Sequence, residues 1–146
     1  MSLTDRLIKA SGVEHVSVLS ESEIYNSKDN IPTPVPALNI AYSSWPDRGF
    51  VPGLTIWAGP SKHFKTLFCL ISAASYMVKY PDAVCMFYDS EFGTPETYFK
   101  SVGIDPSRVI HVPITSMEQL RTELTNTMNV IKRGDHVVVV IDSLGN

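Results

Sequence analysis

The chain has 146 residues, 12 basic against 15 acidic for a net charge of −3, and 44% of it is hydrophobic, which is enough for one domain with a core. A net negative chain without a basic run lacks the phosphate-neutralising surface on which non-specific nucleic-acid affinity rests, and no apolar run reaches the length of a membrane span. Two cysteines exclude a disulfide framework, and Cys69 and Cys85 read as reduced core residues.

In chain order, MSLTDRLIKA reads as a short amphipathic helix without the apolar stretch of a secretory signal, which predicts a cytoplasmic chain with no membrane contact. Residues 2 to 30 are too polar to build a core, and IPTPVP, Ile31 to Pro36, cannot be helical. The expected organisation is therefore an N-terminal helix and linker over 1–34, with a disordered tail as the competing reading, and a core over 35–146.

The core opens with a predicted helix over Ala37 to Tyr42 and a strand over Leu54 to Ala58. The segment GPSKHFKT follows, made of Gly59, Pro60, Ser61, Lys62, His63, Phe64, Lys65 and Thr66. It fits the phosphate-loop pattern G-x-x-x-x-G-K-[ST], with Phe64 in place of the second glycine. In such a loop backbone amides cradle phosphates, the lysine reaches the outer phosphates and the hydroxyl ligates Mg²⁺. A Cβ at Phe64 requires a backbone suited to an L-residue. Lys65 to Lys79 has helical spacing and stops before Pro81, so the loop opens a helix whose free amides and macrodipole favour an anion.

Val84 to Tyr88 reads as a strand ending in Asp89, Ser90 and Glu91. Carboxylates at the carboxyl end of a strand occupy the ligand edge of an open α/β sheet, where Glu91 could activate a water. The alternative is that Asp89, Ser90 or Thr94 caps the next helix and Glu91 is a solvated neighbour. A helix over about Pro95 to Val102 ends at Gly103, and a short strand covers Val109 to Val112. A helix over Ser116 to Lys132 starts in the capping box SMEQ and is closed by Gly134. Val137 to Asp142 reads as a strand buried on both faces, with Asp142 placed to hold the magnesium side of the site. His15, His63, His111 and His136 show no metal-ligand spacing.

Together GPSKHFKT, FYDSEFGTPETYFKSVGIDPSRVIHVPI, SMEQLRTEL and VVVVIDSLGN resemble UvsX, the RecA-like recombinase family of tailed bacteriophages, over nearly the whole chain. That resemblance implies an α/β RecA-like P-loop NTPase with a mostly parallel sheet, flanking helices and an incomplete core, because the strand after Asp142 would belong between the Leu54–Ala58 and Val137–Asp142 strands. The chain then reads as a truncated piece.

The implied cofactors are ATP and Mg²⁺. Gly59 to Thr66 would hold the phosphates, Lys65 and Glu91 would be catalytic, Tyr98 would stack on adenine, and Thr66 and Asp142 would serve the metal. The implied function is ATP-dependent filament assembly on single-stranded DNA and strand exchange in recombination and repair. Expected partners are other copies of the chain through the N-terminal segment, single-stranded DNA, a recombination mediator and a single-strand-binding protein, in the infected host's cytoplasm. The alternatives are a non-catalytic ATP-binding or filament-binding fragment, or another RecA-like motor such as a helicase domain.

Overall fold

A computed structural model describes residues 2–22 and 30–144 and divides the chain into two compact units, Met1–Asn30 and Ile31–Asn146. In the first, helix α1 (Leu3–Ala10) begins in a reciprocal cap. Ser2 Oγ accepts the Asp5 amide at 3.1 Å, and Asp5 Oδ2 accepts the Ser2 amide at 2.9 Å. No residue of α1 is buried.

The larger unit contains helix α2 (Pro36–Ser43), helix α3 (Lys65–Lys79), strand β1 (Val84–Asp89), helix α4 (Glu96–Ser101), strand β2 (Val109–Pro113), helix α5 (Met117–Val130) and strand β3 (Val137–Asp142). The three strands form a parallel sheet in the order β2-β1-β3. Parallel neighbours need a crossover, and α4 and α5 lie in the two crossovers.

Alternation along the central strand sends Cys85 and Phe87 to one face and Met86 and Tyr88 to the other. The first face packs with Val140 against Leu70, Ala73 and Met77 of α3 and Phe99 of α4, where Phe87 and Phe99 meet edge to face at 5.0 Å. The second packs against Leu120 of α5. There the Tyr88 hydroxyl keeps a polar partner, Thr127 Oγ1, at 2.7 Å. Burial pushes the thiols up, Cys85 to about 12 and Cys69 to about 11, with the Asp142 charge adding to the latter. Both cysteines are free.

The Ile31–Pro36 segment is fastened to this unit by backbone and side chain together. Ile31 and Phe50 exchange both amide hydrogen bonds, at 2.8 and 3.1 Å. Gly49 lets the chains come this close, since a Cβ there would lie 1.7 Å from the Ile31 carbonyl oxygen. Buried Asn39 bonds the Thr33 amide, hydroxyl and carbonyl and the Pro46 carbonyl.

Three expectations are corrected. Leu54 to Ala58 forms no strand, and Leu54 and Ile56 are 90% and 72% exposed. An extended segment needs a neighbouring ladder to pair its amides, and among the described residues β3 offers its outer edge to none. β3 packs on both faces, Val138 and Val140 on one and Val139 and Ile141 on the other, but only Val140 is fully buried.

The capping box at α5 is displaced by one residue. Ser116 Oγ accepts the Gln119 amide at 3.1 Å, but Gln119 Oε1 reaches back to Thr115 rather than to the cap residue. Finally, α5 ends at Val130, and Gly134, at φ +101°, serves the turn before β3, where Asp135 Oδ2 accepts the Lys132 amide.

Arg108 staples the end of α3 to the start of β1. Its guanidinium donates to the carbonyls of Ala83 at 2.7 Å, Tyr80 at 3.1 Å and Met77 at 3.4 Å. These carbonyls include ones a helix end leaves without partners. Arg108→Ala is therefore expected to cost about 2 kcal/mol, the worth of a charge-assisted hydrogen-bond set, read as a lowered midpoint in urea unfolding.

Candidate functional site

The loop Gly59 to Phe64 runs into the N-terminus of α3 and borders an open cavity of about 900 Å³. Gly59, Ser61 to Thr66, Glu91, Tyr98 and Asp142 line it, together with Trp57 and Ser143. Pro60 does not line it, but its carbonyl accepts Lys65 Nζ at 2.9 Å. His63 Nδ1 donates to the Ser61 carbonyl at 2.9 Å, a tight local turn within the loop.

Two elements bring Thr66 and Asp142 together. In the parallel register Phe87 pairs with Val140 and Asp89 with Asp142, so Asp142 lies on the sheet face that α3 covers. Thr66 is in the first turn of α3, and its Oγ1 donates to Asp142 Oδ2 at 2.7 Å. A hydroxyl and a carboxylate at this separation are hard oxygen donors of the kind Mg²⁺ takes, with room left for water or phosphate oxygens.

Burial pushes the Asp142 carboxyl up from the usual aspartate range. The Thr66 hydrogen bond opposes this, while the charges of Glu91 and Asp89 push it further and that of Lys65 pulls it back. Among the described residues no group of three or more His, Cys, Asp or Glu is arranged to hold a metal by itself, so a cation here would depend on further oxygens.

Glu91 follows β1 in a short turn. Asp89, 2% exposed, accepts the amides of Glu91 at 3.0 Å and Phe92 at 2.7 Å through Oδ1. Ser143 Oγ donates to Glu91 Oε1 at 2.9 Å. Ser90 ties this turn to the end of β3, accepting the Ser143 amide at 3.0 Å. Tyr98, on α4, is half-buried and packs against the core while one side lines the cavity.

The requirement that Phe64 sit in ordinary L-residue backbone is overturned. Phe64 has φ +57° and ψ +19°, the left-handed conformation a glycine would adopt, and its ring is 64% exposed rather than packed on the following helix. Lys62 is also left-handed, at φ +65°. Consecutive turns of this kind aim amides into one concavity, at a cost for each side chain that carries a Cβ.

The lead-in to the loop is held by aromatic packing in place of a strand ladder. Trp57 meets Tyr42 edge-on at 5.6 Å and Phe68 of α3 at 5.3 Å, and Tyr42 meets Phe50 at 5.3 Å. The Tyr42 hydroxyl bonds Ser72 Oγ at 2.8 Å. Sequence reasoning missed Trp57 and Ser143 as wall residues. Ser143 had a signal in its position beside Asp142, whereas nothing in the local pattern marked Trp57.

No protein-family model matches the chain. The chain is 52% identical over 144 residues to a protein named "Recombination and repair protein" from Enterobacteria phage T4, a match that takes in 99% of this chain and 37% of that relative. The chain thus spans little more than a third of the relative's length. The assignment to UvsX is corrected on this finding, because the relative bears the broader name. The Gly59–Thr66 loop and an aspartate-ended strand are local patterns, and such patterns cannot single out one family.

Two outcomes test the geometry. Phe64→Gly is expected to stabilise the chain by about 1 kcal/mol, since relief of the left-handed backbone outweighs glycine's entropy and an exposed ring contributes little packing, as chemical unfolding would show. For Asp142, the raised folded-state pKa means that the native chain binds this proton more tightly than the unfolded chain. Stability is therefore present below the usual aspartate range and lost as pH rises through the raised value. Asp142→Asn should melt at a higher temperature than the parent at neutral pH in chelator, with the difference shrinking toward acid pH.

Proposed function

We propose that the chain carries the nucleotide-binding part of a RecA-like, ATP-dependent DNA recombinase that works in recombination and repair. The observation that carries this is the convergence of the Gly59–Thr66 loop, Glu91, Tyr98 and Asp142 on one cavity, with Thr66 bonded to Asp142. The recombination and repair setting is supported by the name of the phage T4 relative. In the whole protein, filament assembly of copies on single-stranded DNA, homologous pairing and strand exchange are the activities proposed. A mediator and a single-strand-binding protein are its proposed auxiliaries.

The residues fit ATP with Mg²⁺. The amides of the loop and of the first turn of α3 would hold the phosphates, and Lys65 would exchange the Pro60 carbonyl for an outer phosphate oxygen. Thr66 Oγ1 and Asp142 would face the cation, and the half-buried Tyr98 ring would face the base. When bound, Mg²⁺ neutralises charge on the phosphate oxygens.

Glu91 Oε1 is occupied by Ser143, which leaves Oε2 to take the proton of an attacking water. Lys65 stabilises the charge that develops opposite it. Among the described residues no helix is long and apolar enough to cross a membrane.

Thermal unfolding of the chain with and without Mg·ATP, followed by tryptophan fluorescence, tests this directly, since Trp57 borders the cavity. Nucleotide at a thousand times its Kd is expected to add about 4 kcal/mol of stability, and Lys65→Ala to remove that gain. An unchanged melting temperature in the parent chain, or an undiminished shift in the variant, would reject the site.

A further inference from the structure

Asp89 is a buried carboxylate outside the phosphate and metal positions, and its three hydrogen bonds all come from named donors. Oδ1 takes the Glu91 and Phe92 amides, and Oδ2 lies 3.2 Å from His111 Nε2. A carboxylate only accepts, so His111 presents Nε2–H to it.

The parallel pairing explains the meeting. Phe87 pairs with His111 and Asp89 with Pro113, so His111 lies on the same sheet face as Phe87 and, two residues on, Asp89. The imidazole is held against the Phe87 ring at 6.1 Å with the two planes 28° apart. Phe92, the last residue of the turn, is left-handed at φ +54°, so the turn is not one the backbone adopts unaided.

We infer that Asp89, oriented by His111, is a positioning residue that fixes the turn bearing Glu91 and so aims the Glu91 carboxylate into the nucleotide cavity. This rests on the ATPase function proposed above. His111 lies outside the cavity and is half-exposed, so its replacement leaves the phosphate and metal residues and the core intact.

The experiment measures Mg·ATP affinity and single-turnover ATP hydrolysis for the parent chain, His111→Ala, His111→Gln and Lys65→Ala, with amide hydrogen exchange at Glu91 and Phe92 as a local readout. His111→Ala is expected to keep the parent's Kd, exchange faster at both amides and hydrolyse about tenfold more slowly, the scale of a displaced catalytic group. His111→Gln retains an N–H donor and is expected to recover most of the rate. Asp89→Asn, which removes the charge but keeps the shape, should show the same split between affinity and rate.

Parental hydrolysis by His111→Ala with parental affinity would overturn the positioning role and leave the nucleotide site standing. Equal losses of affinity and rate would overturn it in favour of a purely structural role, as would hydrolysis absent from a parent chain that binds Mg·ATP. Failure of the parent to bind Mg·ATP, or binding undiminished in Lys65→Ala, would instead remove the proposed function itself.

Discussion

The site is organised by one hydrogen bond, from Thr66 Oγ1 to Asp142 Oδ2 at 2.7 Å, between residues 76 apart in sequence. It joins the first turn of α3 to the carboxyl end of β3. It can form only because parallel pairing of β1 with β3 places Asp142 on the face that α3 covers. A slip of one residue in that register would turn Asp142 toward α5 and leave Thr66 without its partner. The geometry of the site and core packing are therefore set by the same alternation, which puts Phe87, Asp89, Val140 and Asp142 all on the face that α3 covers.

The loop itself is held at a cost. Lys62 and Phe64 adopt left-handed backbone that glycine would occupy freely, and Lys65 is folded back onto the Pro60 carbonyl. Strain of this kind persists when the flanks are fixed, and here they are: Trp57 is wedged against Tyr42 and Phe68, and the α3 face is buried in the core. Aromatic contacts thus do for the lead-in segment what a sheet ladder was expected to do.

On the opposite wall, Asp89, Ser90 and Ser143 knit the ends of β1 and β3 into one unit around Glu91. As the alternative reading had it, Asp89 caps the turn and Glu91 is exposed to solvent, with its Oε1 engaged by Ser143. Buried Asp89 and its hydrogen bonds to the turn restrict where the Glu91 carboxylate can point.

Much of this was legible from residue order. The apolar runs at Val84–Asp89 and Val137–Asp142 and the helical spacing of Lys65–Lys79 are local patterns, and they match the elements formed. The residues of the Gly59–Thr66 loop and the strand-end carboxylates were visible because side-chain type and spacing are themselves local. Three things were settled by tertiary structure.

Leu54 to Ala58 has strand composition but no ladder to join among the described residues. The backbone of Phe64 is dictated by the loop's closure rather than by its own preference. The Asp89–His111 contact needs the β1–β2 register, which no stretch of either strand encodes alone. The sequence by itself determined which segments could form helices and strands and which residue types stood at their ends. Only the packed sheet decided which of those ends met, because pairing register and face are properties of two strands together.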